Sequence, residues 1–282
     1  KVFAKDLMKR YDIPTAAYGV FSDVESAKSF IDDTGAPIVV KADGLAAGKG
    51  VVVAMTVDEA HAAVEDMLSG NRFGEAGHTV VIEEFMVGEE ASLLAFVDGE
   101  TVVPMIASQD HKRIFDGDKG PNTGGMGTYA PAPVLTDELG DEAMRTILNP
   151  VVKALADEGM PYVGCLYAGL MITDEGPKVV EFNARFGDPE TQVVLPLLDS
   201  DLGEVMMSCA KGTLKAEKVR WKQSSAACVI LASKGYPETS SKGDVIKGDI
   251  EPYDTTIVFH SGTKLVDHQY VTDGGRVLGV VG

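Results

Sequence analysis

KADGLAAGKG, residues 41–50, sets Gly44, Gly48 and Gly50 between and beside Lys41 and Lys49, a composition suited to holding phosphate. The Walker pattern G-x-x-x-x-G-K-[ST] is missed twice. Only three residues separate Gly44 from Gly48, and Gly50 follows Lys49 where a metal-binding hydroxyl would stand. The flanks decide the matter. IVVKA before the loop and VVVAM after it are β-branched strand sequences, whereas Walker and Rossmann loops both join a strand to a helix whose N-terminal amides hold the anion. The stretch therefore reads as the tip of a β-hairpin that covers phosphate with backbone amides.

Two helices frame that hairpin. In SDVESAKSFIDDTG, Ser22 and Glu25 form a capping box and Gly35 ends the helix; in TVDEAHAAVEDMLSG, Thr56 and Glu59 repeat the box and Gly70 the stop. Residues 14–81 thus predict a small α/β unit, with 1–13 as an entry segment. From VVIEEF onward, ASLLAFVDGETVVPMIA and GCLYAGLMITDEGPKVVEFNA read as strands joined by tight turns at Asp98-Gly99 and Asp174-Glu175-Gly176. Helices at about 137–158 and 201–211 interrupt them, giving an antiparallel sheet with helices over 82–218. Residues 108–133, dense in Gly, Pro and polar side chains, predict a long functional loop. Short strands over 219–282 predict a β-rich C-terminal domain with packing or lid duties. The fold class is α+β.

Composition narrows the function. The 282 residues carry a net charge of −18, which argues against nucleic acid, since that needs a basic patch to replace counterions. No apolar run approaches membrane-spanning length and no signal peptide pattern opens the chain, so neither a membrane nor export is expected. Cys165, Cys209 and Cys228 lie far apart in apolar surroundings and read as buried thiols of a reducing cytoplasm. No G-x-S-x-G, H-E-x-x-H or Cys–His arrangement supplies a nucleophile.

Chemistry concentrates in three places. In VVEFNARFGDPET, strand alternation puts Glu181, Asn183 and Arg185 on one face and Val180, Phe182 and Ala184 on the other. Carboxylate and amide oxygens suit a hard cation such as Mg²⁺, and a neighbouring guanidinium suits a phosphoryl group in transfer; the bland alternative is a solvated face with a Glu181–Arg185 ion pair. Lys41, late in its strand and followed by the glycine-rich tip, is either a triphosphate ligand or a snorkelling charge. IEEFMVGEEAS crowds Glu83, Glu84, Glu89 and Glu90 around an aromatic and a Met, a setting for a purine and its ribose.

Taken in order, KADGLAAGKGV, VIEEFMVGEEAS, SQDHKR, GPNTGGMG, YAGLM and EFNARFGDPETQ resemble the phosphoribosylamine–glycine ligase (glycinamide ribonucleotide synthetase) family of the ATP-grasp superfamily, and HSGTK and GGRVL extend the likeness. The resemblance implies an ATP-grasp fold with ATP clasped between two α+β units. It implies ATP contacts from Lys1, Lys41, Gly44, Gly48, Lys49 and Gly50, an adenine-binding connection at Glu83, Glu84, Phe85 and Met86, ribose on Glu90, and Leu170 or a neighbour under the base. Glu181 and Asn183 would hold Mg²⁺ or Mn²⁺. Asp110, Lys112, Arg113, Asn122, Thr123, Gly124 and Asp188 would line the pocket for glycine and 5-phosphoribosylamine, with Arg185 acting on the transferring phosphoryl. The implied reaction forms glycyl phosphate and ADP, then glycinamide ribonucleotide, within purine biosynthesis in the cytoplasm, on a chain expected to be monomeric.

Two departures accompany the likeness. GCLYAGLMIT carries no metal carboxylate before Asp174, so the metal set is expected to rest on Glu181 and Asn183. The chain begins at the phosphate-contacting Lys1, where the family carries a preceding α/β domain, and the C-terminal domain is expected to be incomplete. Alternatives are another ATP-grasp carboxylate–amine ligase and a piece that binds MgATP without turnover.

Overall fold

The computed structural model describes residues 1–44, 50–69, 78–117, 119–248, 253 and 255–282. Helix α1 (Val2–Arg10) precedes a four-stranded antiparallel sheet of β1 (Tyr18–Phe21), β2 (Ile38–Ala42), β3 (Val51–Ala54) and β4 (Val80–Glu84), ordered β1-β4-β2-β3. Helices α2 (Val24–Thr34) and α3 (Val57–Leu68) cover one face, where Ile31, Ile38, Val40, Val64, Met67, Val80 and Ile82 form a closed core. Alternation sends Val39, Lys41, Val51, Val53 and Glu83 to the opposite face. β2 and β3 pair directly, with Ala42 N donating to Gly50 O at 2.8 Å. The stretch 44–50 therefore joins two strands, as expected.

Capping follows the expected pattern with one correction. Thr56 Oγ1 accepts from Glu59 N at 3.2 Å, while Glu59 Oε2 accepts from Met55 N at 2.8 Å. At α2 the N-cap is Asp23, not Ser22: its Oδ1 accepts from Ser26 N at 2.8 Å. The carboxylate one residue on fits the same role and starts the helix later. Gly35 ends α2; Gly70 lies outside the described residues.

The chain continues through β5 (Glu89–Asp98), β6 (Val102–Pro104), β7 (Gln109–Phe115), β8 (Lys119–Ala130), α4 (Asp137–Ala143), a π-helical turn (Met144–Leu148), α5 (Asn149–Asp157), β9 (Val163–Thr173) and β10 (Gly176–Asn183). The π turn ends where Pro150, lacking an N–H, cannot donate to the carbonyl of Thr146. The second sheet runs β10-β9-β5-β6. Its centre is covered on both faces, which explains the unbroken apolar run of β5. Ala91, Leu93, Ala95 and Val97 pack with α1, α4 and α5, while Leu94 and Phe96 face α6 (Thr191–Val194) and α7 (Leu202–Lys211).

The remaining strands are β11 (Ala226–Ala232), β12 (Ile257–His260), β13 (Thr263–Val266), β14 (Gln269–Thr272) and β15 (Arg276–Val281). A five-stranded sheet runs β12-β15-β11-β8-β7, so Gly127–Ala130 of β8 pairs with Ala226–Val229. This corrects the long loop expected over 108–133: most of it is a hairpin at the sheet edge. Its composition misled because the strands accommodate irregularity, with register shifts around Arg113 and positive φ at Gly120 and Gly125. The same sheet spans the expected 218/219 boundary. The three cysteines are buried and free. No helix among the described residues is long and apolar enough to cross a membrane.

Candidate functional site

A cavity of about 580 Å³ opens between the cleft-facing side of the first sheet and the β10 edge of the second. That is within the usual range for a small-molecule site. Lys1, Lys5, Lys41, Gly44, Gly50 and Glu83 line one side, and Val180, Glu181, Phe182, Asn183 and Arg185 the other. Lys1 Nζ donates to the carbonyls of Ala42 (2.5 Å) and Gly44 (3.1 Å), fastening the root of the hairpin tip. Asp43 Oδ1 accepts from Val2 N at 2.7 Å and so binds the same root to α1. Burial draws the Lys1 ammonium below its ordinary range, opposed by Asp43 and Glu181.

The opposite wall is an irregular strand. A bulge at Val180 separates the pairs Val179↔Leu170 and Glu181↔Gly169. The simple alternation expected over 180–185 is therefore corrected: Val179 and Phe182 face the core, Val180 lines the cavity, and Arg185 lies beyond the strand end. Glu181 and Asn183 do share a face, with Asn183 Nδ2 donating to Glu181 Oε1 at 3.0 Å. Two oxygen-bearing side chains fit a hard cation that takes its remaining ligands from phosphate and water. Among the described residues no cluster of three or more His, Cys, Asp or Glu side chains offers an alternative metal site.

Cross-strand pairing extends this polar face over the sheet. Glu181 lies opposite Gly169 and that opposite Ser92; Asn183 lies opposite Tyr167 and that opposite Leu94. The face thus passes from apolar Leu94 and Phe96 to polar Ser92, Tyr167 and Glu90. Tyr167 Oη donates to Glu190 Oε1 (3.0 Å) and lies 2.8 Å from Ser92 Oγ, which donates to the same carboxylate oxygen at 3.2 Å. Beside them Lys112 Nζ reaches Glu90 Oε2 at 2.7 Å and Asp110 Oδ1 at 3.8 Å. Burial pushes the Asp110 carboxyl up to about 6, with Lys112 opposing and Glu190 and Glu90 adding to it. Burial opposes protonation of Lys112, but Glu90 and Asp110 outweigh it and hold the ammonium above the ordinary lysine range.

The expected residues divide accordingly. Lys1, Lys41, Gly44, Gly50, Glu83, Glu181, Asn183 and Arg185 meet in one cavity; Glu90, Asp110 and Lys112 form the adjoining cluster. Gly48 and Lys49 lie outside the described residues. Glu83 turns its carboxylate to Lys41 and Lys5, and the exposed Glu84 turns its own to Ala17 N at 3.3 Å. Phe85 and Met86 are half-buried in the connection to β5. Of the expected Leu170 or a neighbour, Leu170, opposite Ala91 and Val179, packs on the apolar face with α1 and α5, while its neighbour Met171 lies opposite Glu90 on the other face. Arg113 Nη1 is held by Gly120 O at 2.7 Å within its own hairpin, and Asn122 is exposed beside it.

Sequence reading missed several participants. Ser92 and Tyr167 are buried polar groups within apolar strands, which hinted at them, whereas Lys5 and Glu190 are buried in charged stretches, KVFAKDLMKR and GDPET, that gave no such signal. Arg276 and Tyr236 join the C-terminal part to Gly124 and Asp188, two of the expected substrate-side residues. Arg276 Nη1 donates to Gly124 O (2.7 Å) and Asp188 O (3.0 Å), and Tyr236 Oη accepts from Gly124 N at 3.0 Å. Thr123 Oγ1 donates to Lys112 O at 2.7 Å, so the clamp continues to the Lys112 cluster.

Comparison with known proteins follows this geometry. Residues 1–191 match the family model "Phosphoribosylglycinamide synthetase, ATP-grasp (A) domain", and 226–282 match "Phosphoribosylglycinamide synthetase, C domain". The chain is 55% identical over 281 residues to phosphoribosylamine–glycine ligase of Escherichia coli O157:H7, and 56% identical over 283 residues to that of Caulobacter vibrioides. Each alignment covers 99% of this chain and 66% of the relative, so the chain spans just under two thirds of the length of these curated relatives. The crystal structure of phosphoribosylamine–glycine ligase from Thermotoga maritima superposes with a TM-score of 0.90 at 35% identity, covering 100% of this chain and 70% of that one. An ATP-grasp domain that shares its edge with a C domain, and these matches along its length, place the chain in the phosphoribosylglycinamide synthetase family.

Proposed function

We propose that the chain carries the nucleotide- and substrate-binding parts of an ATP- and magnesium-dependent ligase that joins glycine to 5-phosphoribosylamine. The observation that carries this reading is the single cavity with Lys1 and Lys41 on one side and Glu181, Asn183 and Arg185 on the other. Polyphosphate would lie between the ammonium groups and the oxygen pair. Gly44 and Gly50 at the ends of the hairpin tip would bring backbone amides over it, and the connection from Glu84 to Met86 would offer backbone groups to the base. A magnesium ion held by Glu181 and Asn183 would neutralise charge on the phosphate oxygens.

The chemistry then needs positioning more than a protein nucleophile. A glycine carboxylate oxygen attacks the γ-phosphorus, the bond to the ADP oxygen breaks, and glycyl phosphate forms. The amine of phosphoribosylamine attacks the acyl carbon, phosphate leaves, and the amine proton is released. Arg185 stabilises the phosphoryl charge from the side of Glu181. The cluster of Asp110, Lys112 and Glu90, extended by Thr123, Gly124 and Asp188, borders the same face and would receive the amino acid and the phosphoribosyl substrate. Its excess of carboxylates suits an ammonium-bearing substrate.

ADP release in the presence of glycine and freshly generated phosphoribosylamine, against omission of each, tests this reading. ADP released only with both is expected. Equal release with other amino acids would exclude the glycine assignment. MgATP binding without turnover, cured by supplying the remaining third of a relative's length, would confine the chain to nucleotide binding.

A further inference from the structure

Lys5 is one of the few buried charged residues of the chain, at 2% exposure. It sits on α1, which is otherwise anchored by Leu7 and Met8. Its ammonium lies 2.8 Å from Thr15 Oγ1, 3.2 Å from Ala16 O and 3.1 Å from Glu83 Oε2. A lysine has three N–H donors, so Lys5 is fully occupied by the protein. Lys41 approaches the same Glu83 oxygen at 2.9 Å and the carbonyl of Val180 at 3.3 Å. Among the described residues its third N–H has no protein acceptor, and Lys41 lines the cavity.

Two ammonium groups thus share one carboxylate oxygen in a buried setting, with side chains 3% (Lys5), 9% (Lys41) and 3% (Glu83) exposed. The three groups together carry one positive charge in excess. In a poorly solvated site that excess is felt strongly at the cavity. Removing Lys5 would leave Glu83 and Lys41 as a neutral pair, with the attraction of Glu83 undivided. The link is also mechanical. Thr15, an acceptor for Lys5, donates through Oγ1 to Val179 O at 2.7 Å, and Val179 N donates to Pro14 O at 2.8 Å. One side chain therefore ties α1, β4 and the start of the Glu181 strand together.

We propose that Lys5 is a positioning residue for nucleotide binding: by sharing Glu83 with Lys41 it keeps the Lys41 ammonium and one excess positive charge directed at the polyphosphate. This rests on the reading that MgATP occupies the cavity. It assigns Lys5 no contact with the nucleotide; it acts through Glu83 and Lys41. On the same reading the base lies at the Phe85–Met86 connection, so the effect is expected at the phosphate end.

The test is titration calorimetry of the full chain with MgATP and, separately, adenosine, for the unmodified protein, Lys5→Met, and the double variant Lys5→Met/Glu83→Gln. Lys5→Met keeps the aliphatic stem and should weaken MgATP about tenfold or more, the range of one charge-assisted interaction, with adenosine unchanged. The double variant removes one cation and one anion, restores the excess charge to Lys41, and should recover most of the MgATP affinity. It keeps the net charge of the unmodified trio, carried by Lys41 at the cavity, so it reports even if the single variant folds poorly. Equal weakening of adenosine and MgATP, unchanged MgATP binding in Lys5→Met, or no recovery in the double variant would overturn the inference while leaving the nucleotide reading intact. Failure of the unmodified chain to bind MgATP would overturn both.

Discussion

Asn183 Nδ2 donates to Glu181 Oε1 at 3.0 Å, joining the two oxygen-bearing side chains of the β10 edge on one face. The hydrogen bond fixes the amide so that its carbonyl oxygen and the second carboxylate oxygen remain for a cation. The same geometry also stores little without one, because both residues border solvent-filled space. On the function proposed above, substitutions here should change metal and nucleotide affinity more than folding.

Glu181→Gln keeps the shape and the hydrogen bond but removes the charge. Affinity for ATP in the presence of magnesium should fall about tenfold or more, the range that even supporting changes around metal ligands reach. Affinity without magnesium should stay near that of the unmodified chain. Calorimetric titrations with and without magnesium check this, and an unchanged metal dependence would return 181–185 to a solvated surface.

Asp110 predicts a pH effect of defined sign. Its folded carboxyl holds a proton up to about 6, because of burial first, whereas the unfolded chain releases it near the ordinary 3.8. Between these values the folded state binds more protons, so this group's contribution to stability falls as pH rises. Relative to Asp110→Asn, the unmodified chain should lose on the order of 3 kcal/mol between about pH 4 and pH 7. Urea midpoints of both proteins across that range measure it; parallel curves would refute it.

Gly88 tests the crossing between the two sheets. A Cβ at this position would lie 2.2 Å from the carbonyl oxygen of Ile172, a clash with backbone that no rotamer relieves. Gly88→Ala should lower stability by roughly 2 kcal/mol or more and weaken nucleotide binding. Gly140, inside α4 with open space where a Cβ would sit, is the internal control. Gly140→Ala should raise stability by about 0.5–1 kcal/mol. Thermal and denaturant unfolding of the two variants should therefore shift in opposite directions.

Sequence alone was sufficient where the information is local. Strand composition on both sides of 41–50 identified a strand-to-strand loop, Thr56 and Glu59 located a helix start, and two-residue spacing put Glu181 and Asn183 on one face. These depend on backbone periodicity and on side chains reaching their own neighbours in the chain. Tertiary structure decided whatever depends on distant partners. The bulge at Val180 re-aimed the strand after Val179, and β8 found its partner β11 about 100 residues away, turning an apparent loop into sheet. Lys5 reads as one more helix lysine until Glu83, Thr15 and Ala16 converge on it. Arg276, in the GGRVL stretch of the family likeness, shows no partner until the five-stranded sheet brings it to Gly124 and Asp188. Burial and charge at such residues are set by groups far away in sequence, so only the folded chain determines what they do.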